Sequence, residues 1–275
     1  MKKIYVIILI CSLISCSSSK LPTEKYSQYT TNHSYNFEDN QLKVTLQNPL
    51  PCPIRIWITS DQDYLQNKFN KLNPIELNSK LDTVLVFQNI ENQNQIINFP
   101  SRLGSVSKII EPIQVEFPFV KNKEYKIIQG NNTNYTHNSK YSKFAIDFNL
   151  KTNDTICSAT DGFVVGVIDA YEFGGKGSQW RPFSNFITVY NSTSGIFFQY
   201  AHLVKNGSLV KLGDKIEAGQ AIALSGNTGQ SDGEHLHFNC LKPVNTNAGL
   251  ESIPIEFVDG QSGIDLRKGD RVIQE

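Results

Sequence analysis

The stretch GEHLHF, residues 233–238, places two of the chain's five histidines one residue apart inside an apolar run. Side chains on a β-strand alternate between faces, so His235 and His237 project to one side, about 6.6 Å apart, while Leu236 and Phe238 project to the other. The run therefore reads as a strand with one chemical face and one packing face. Two neutral imidazoles on one face can both bind a metal, or one can bind while the other reaches something held by it. Spacing alone does not choose between these.

The same alternation recurs upstream in FAIDFNL, residues 144–150, where Phe144, Ile146 and Phe148 share a face and Ala145, Asp147 and Asn149 share the opposite one. Asp147 thus points away from the apolar side. The Asn-rich tract IIQGNNTNYTHNSKYSK, residues 127–143, reads as a loop leading into that strand. Further strands are predicted in GFVVGVID, NFITVYN, GIFFQYAHL and QAIALSG. DAYEFGGKGSQWRPFSN, residues 169–185, reads as a long loop of the kind that rims a site.

Residues 35–123 carry short alternating runs, LKVTLQN, PIRIWIT, DTVLVFQ, QIINF and IQVEFPF, each bounded by Asn, Pro, Asp or Gly. This is the pattern of a β-sandwich. The segment DQDYLQNKFNKL is the one helix candidate here and reads equally as a loop. With no cluster of His, Cys or paired acids, this half is expected to be a structural or recognition module. The expected architecture is all-β, with that module at 35–123 followed by a second β-rich domain at 124–275 that holds four of the five histidines.

At 275 residues the chain is long enough for two cores. Lys plus Arg and Asp plus Glu both total 26, so a nucleic-acid partner has no electrostatic support. The N-terminus, MKKIYVIILICSLISCSSSK, has two lysines and then an apolar run too short to span a bilayer, which fits a secretory signal. Residues 16–34 are polar and aperiodic and read as a tether, with His33 a solvated side chain in it. Beyond Cys16 there remain Cys52, Cys157 and Cys240; a Cys157–Cys240 disulfide and three buried thiols are both compatible with so sparse a set.

Two resemblances add to this reading. Leu13-Ile14-Ser15-Cys16 resembles the lipobox of bacterial lipoproteins, which implies cleavage after residue 15 and acylation of Cys16. By analogy, such an anchor implies the periplasmic side of an outer membrane. Asp147 on its strand, the histidine of YAHL and the glycine-rich SGNTGQSDG entering HLHF together resemble the lysostaphin-type zinc endopeptidases, which cleave peptide bonds in peptidoglycan. The resemblance covers about residues 125–245. It implies a β-barrel-sandwich-hybrid-like peptidase fold, Zn2+ as cofactor, Asp147 and His237 as zinc ligands, and His202 and His235 as catalytic histidines on the open side of the metal. Within the framework GDKIEAGQAIALSGNTG, Gly213, Gly219 and Gly226 read as backbone positions.

One position departs from the family pattern. In most members the first zinc histidine lies four residues before the aspartate, where this chain has Lys143. A second pattern has the histidine farther upstream, and THNSKYSKFAIDF fits it with His137. His137 lies ten residues before Asp147, within easy reach through a folded-back loop, whereas Lys143 is charged at neutral pH and offers no lone pair. Two rival classes compete: a catalytically inactive relative that binds peptidoglycan or activates another hydrolase, and a lipoyl or biotinyl carrier suggested by GDKIEAGQ. The intact histidine set argues against the first. Met1 is the sole methionine, which removes the biotinyl version, and a carrier leaves the histidines unexplained.

Overall fold

A computed structural model describes residues 21–90, 94–133 and 135–275. The chain is built mainly of strands, as expected. Its centre is a nine-stranded sheet, whose principal order runs Lys215–Ile216, Gly162–Ile168, Phe186–Tyr190, Phe197–Ala201, Leu236–Pro243, Ile146–Phe148, Glu124–Gln129 and Arg271–Ile273. Leu250–Ser252 pairs beside Leu236–Pro243. A three-stranded sheet of Thr155–Cys157, Ala221–Ser225 and Leu203–Ser208 accompanies it. Phe198, Tyr200, Leu236 and Phe238 from the large sheet join Ile156, Leu203, Ile222 and Ala223 from the smaller one in a single apolar core.

The opposite face of the large sheet is graded, because its antiparallel register brings like residues into rows. One row is Phe186, Ala201, His237 and Asp147; two residues along comes Thr188, Gln199 and Asn239; two further along comes Tyr190, Phe197 and Leu241. The first row floors a groove, the second is polar, and the third is apolar. Tyr190, Phe197 and Leu241 pack with Leu42, Val44, Ile54 and Phe69 from the N-terminal half, so this second core is shared between both parts of the chain.

The N-terminal half contains one three-stranded sheet of Ser34–Glu38, Gln41–Gln47 and Asp82–Gln88, and another of Ile75–Leu77, Ile54–Ile56 and Ser101–Leu103. Asp63–Asn70, which reads from sequence as either helix or loop, is a two-turn helix. Leu65 and Phe69, four residues apart, supply the buried stripe that packing rewards. The run IQVEFPF, counted with the N-terminal module, packs elsewhere: Gln114–Val115 pairs with Glu256–Phe257, and Val115, Phe117 and Phe119 enter the C-terminal core. An apolar run declares that it must be buried, not in which core.

The N-terminal segment also departs from a free tether. The Tyr26 backbone N–H donates to the Tyr171 hydroxyl at 3.0 Å, and the Gln28 carbonyl accepts from Val167 N–H at 3.0 Å. His33 is half-buried rather than solvated: its Nδ1 accepts from Gln47 N–H at 3.2 Å and its ring lies against Phe99. Cys16 and the signal segment lie outside the described residues. Cys52, Cys157 and Cys240 are free thiols, all buried. No helix among the described residues is long and apolar enough to cross a membrane.

Arg55 fastens the two halves together. Fully buried in the Ile54–Ile56 strand, it donates to the carbonyls of Gly104 (2.9 Å), Leu103 (3.0 Å), Val244 (2.8 Å) and Gly249 (2.8 Å). Truncating it removes the Arg55 donor from the carbonyls of Gly104, Leu103 and Val244 and leaves that of Gly249 with the Val244 N–H alone, and a buried acceptor left unpaired is costly. Arg55→Met should lower unfolding free energy by about 3 kcal/mol or more, read from urea unfolding midpoints. A change of less than about 1 kcal/mol would show that the shared apolar core alone holds the halves.

Candidate active site

Three sequence-distant segments converge on the end of the sheet. Asp147 and His237 are paired neighbours in adjacent antiparallel strands, so their side chains rise together from the same face. His137 comes from the loop between the strands Glu124–Gln129 and Ile146–Phe148. That loop is folded back by its own polar side chains: Asn131 Nδ2 donates to the carbonyls of Phe144 and Ala145, both at 3.0 Å, and Ser142 Oγ donates to the Thr136 carbonyl at 2.7 Å. His137 is thereby fully buried. Lys143 instead projects outward, its ammonium 5.1 Å from the Phe144 ring centre.

The three donor atoms form a tight triangle. His137 Nε2 lies 3.2 Å from Asp147 Oδ1 and 3.2 Å from His237 Nδ1, and His237 Nδ1 lies 2.9 Å from Asp147 Oδ1. Zinc bonds of about 2.0–2.1 Å would set tetrahedral ligand atoms roughly 3.3 Å apart, close to what is seen. His137 Nδ1 is 3.0 Å from the Gly130 carbonyl; donating there fixes the tautomer and leaves the Nε2 lone pair facing the triangle. The residues present therefore fit a divalent metal.

The electrostatics agree with the geometry. Burial would push the Asp147 carboxyl up, but the charges of His137 and His235 and hydrogen bonds from His137 and His237 hold it well below the usual carboxylate range. Burial pulls the imidazoles of His202 and His237 down, His202 strongly. At His137 burial acts in the same sense but is outweighed by Asp147, leaving it raised. The pocket is thus a buried carboxylate among imidazoles, with two of the latter inclined to be neutral and so able to offer lone pairs.

His202 and His235 stand beside this triangle, with ring centroids 4.6 Å apart. His202 Nδ1 is 2.6 Å from the Thr228 carbonyl, and His235 Nδ1 is 2.8 Å from the Gly233 carbonyl. Each Nδ1–H donated to a carbonyl leaves Nε2 as an acceptor; that of His235 lies 3.7 Å from Asp147 Oδ2. His202 sits between strands Phe197–Ala201 and Leu203–Ser208 with a left-handed φ of 66°. There the chain leaves the large sheet for the small one. Gly226 is needed at this crossing, because a Cβ on it would stand 2.4 Å from Val204 N. Gly213 and Gly219 occupy turns with positive φ.

Asp147, His202, His235 and His237 line a groove of about 810 Å³, with Gln28, Tyr141, Arg181 and Ser184, and His137 lies buried behind them. The expected rim loop 169–185 includes the 3-10 turn Ser178–Phe183, which supplies Arg181, and buries Trp180 and Phe183 in a small cluster with Tyr171. Glu234, in the bend before the strand Leu236–Pro243, is ion-paired with Lys151 at 3.0 Å and accepts from Thr152 N–H at 2.8 Å. Gln28 and Tyr141 were not singled out by the sequence; neither carries a periodicity or motif signal.

A His–Asp–His triangle flanked by two further histidines, at one end of an antiparallel sheet, makes a candidate metal centre. Residues 141–248, which hold Asp147, His202, His235 and His237 but not His137, match the model of peptidase family M23. A metalloprotease of Buchnera aphidicola is 32% identical over 181 residues, spanning 62% of this chain and 43% of that protein. The peptidoglycan DD-endopeptidase ShyA of Vibrio cholerae is 32% identical over 102 residues, spanning 36% of this chain and 21% of that one. The chain thus spans less than half the length of these curated relatives. Among solved structures, the catalytic domain of lysostaphin from Staphylococcus simulans is 21% identical, covering 47% of this chain and 87% of that one, with a TM-score of 0.33.

The left-handed φ at His202 costs a non-glycine residue about 1 kcal/mol. His202→Gly should therefore be more stable than His202→Ala by about that amount, measured by thermal or urea unfolding. Equal stabilities would mean that the crossing relaxes when the imidazole is removed.

Proposed function

We propose that this chain is a zinc-dependent endopeptidase that hydrolyses peptide bonds in peptidoglycan. It acts from a membrane anchor formed by acylation of Cys16, on the periplasmic side of an outer membrane. The observation that carries the catalytic reading is the triangle of His137, Asp147 and His237 with two carbonyl-pinned histidines beside it in an open groove. The peptidoglycan endopeptidase among the relatives supports the substrate class.

In this reading His137, Asp147 and His237 would hold the metal. Zinc, when bound, supplies Lewis acidity toward a water and the scissile carbonyl. His202 and His235 do the proton work: with Nδ1 committed to a backbone carbonyl, each presents Nε2 to accept a proton from the attacking water or, once protonated, to stabilise the oxyanion or pass the proton to the leaving amine. Burial favours the neutral form of His202 and so its use as an acceptor. Substrate peptide lies along the groove over the Ala201–His237 row.

Digestion of purified peptidoglycan with and without chelator, read by mass spectrometry of released peptides, tests the activity. Cleavage should stop with chelator and return with zinc; intact peptidoglycan throughout would leave a binding or activating role instead. His137→Ala and Asp147→Ala should lose metal and activity together, while His202→Ala and His235→Ala lose activity and retain most of the metal, measured as zinc per chain. Lys143→Ala should change neither. If His235→Ala loses zinc as completely as His237→Ala, the division of roles is wrong.

The anchor has a separate test. Cys16→Ser should leave an uncleaved precursor or release a soluble protein, whereas the mature wild type partitions into detergent. Wild type in the aqueous phase after maturation would remove the anchor.

A further inference from the structure

A second cavity, of about 560 Å³, lies beyond the polar row of the sheet. Its walls come from three parts of the chain: residues 27–31 of the N-terminal segment, residues 101–103 of the N-terminal half, and Tyr141, Ala248 and Leu250 of the C-terminal domain. Gln28 and Tyr141 line both this cavity and the groove that holds the histidines, so the two spaces meet at this pair.

The pair is held in place from the sheet. Gln28 Oε1 accepts from Thr188 Oγ1 at 3.0 Å, the Tyr141 hydroxyl donates to Gln199 Oε1 at 3.2 Å, and Asn239 Nδ2 donates to the Tyr141 carbonyl at 2.7 Å. Thr188, Gln199 and Asn239 form the row two strand residues from Phe186, Ala201 and His237. Two residues of strand span about 6.6 Å. An extended peptide with its scissile bond over the His237 row therefore meets Gln28 and Tyr141 about two residues away, at the entrance to the second cavity.

The chemistry of that cavity is set by Arg102, its one charged lining side chain. Nε donates to the Asn247 carbonyl at 2.9 Å and Nη1 to the Ser101 carbonyl at 2.8 Å, which orients the guanidinium. Among the described residues Arg102 has no carboxylate partner, and its Nη2 makes no hydrogen bond. Ser27, Thr30, Thr31 and Ser101 add hydroxyls around it. A pre-oriented guanidinium with unused N–H groups, set among hydroxyl donors, matches a carboxylate.

We propose that this cavity is a second substrate site, taking a carboxylate carried by the peptide more than two residues from the scissile bond. The segment Ser27–Thr31 is then a wall of the substrate site. The inference rests on the groove being a peptide-binding site. The carboxylate could belong to a chain terminus or to a side chain, the same chemistry from two sources.

Zinc-loaded mature protein would be assayed on synthetic peptides in which the distant group is a terminal carboxylate, a side-chain carboxylate or the carboxamide of each. Arg102→Gln removes the charge; Ala248→Trp, at an exposed position, fills the cavity from its rim. Both variants should raise KM for one carboxylate peptide about tenfold while leaving kcat, zinc content and thermal stability unchanged, and Arg102→Gln should leave the carboxamide unaffected. The peptide that responds identifies the source. Equal effects of Arg102→Gln on carboxylate and carboxamide, or no effect of either variant, would overturn the proposal. Should wild type cleave no peptide, the hydrolase reading fails by itself. Fluorescence anisotropy of the labelled peptides then decides the second site: about tenfold preference for carboxylate, lost in Arg102→Gln, upholds it, and equal or absent binding rejects it.

Discussion

The antiparallel register between Asp147, His237, Ala201 and Phe186 is the constraint on which the rest depends. With a side-chain period of two, one choice of register decides which residues face the apolar core and which face the groove, and a slip of one residue would exchange them all. Leu236 and Phe238 anchor that choice from the core side. Their burial is what holds His237 on the outer face beside Asp147. The same register continues along the sheet, so the site, the polar row and the apolar row that receives the N-terminal half are three stations on one surface.

Burying Asp147 at 4% exposure is tolerable only because its surroundings answer its charge. His137 and His237 both approach Oδ1, and His235 approaches Oδ2. The same arrangement gathers lone pairs where a cation can be held. Around it the Nδ1 atoms of His137, His202 and His235 all face backbone carbonyls, of Gly130, Thr228 and Gly233. Backbone is the stiffest partner available, so these imidazoles are oriented by the fold itself rather than by other mobile side chains.

What the sequence made legible follows physical periodicity. HLHF and FAIDF alternate, and alternation alone assigns the faces of His235, His237 and Asp147, and the strand-rich class with them. The path of His137 could not be read that way: its loop is closed by Asn131 and Ser142 bonding to local backbone, and such contacts leave no repeating pattern. The N-terminal segment hid its role for a similar reason. Tyr26 and Gln28 look like residues of a polar tether until Tyr171, Val167 and Thr188 are brought beside them. The helix at 63–70 was ambiguous because only two buried residues, Leu65 and Phe69, define its stripe.

The shared second core gives the N-terminal half a part in the shape of the groove. Tyr190, Phe197 and Leu241 would be an exposed apolar end of the sheet if the chain lacked that half, and such a face on a sheet surface invites association. Covering it with strands closes one end of the sheet face, and Arg55 fastens the cover by bonding carbonyls on both sides of the contact. The polar row of Thr188, Gln199 and Asn239 then lies between the metal triangle and the cover. Gln28 and Tyr141 bind to it from above, each through a side chain that is itself hydrogen-bonded to the sheet. A peptide entering along the groove consequently meets a floor of fixed polarity and a wall contributed by the N-terminal segment. Selectivity away from the reacting bond can be set by these elements without disturbing the ligands of the metal.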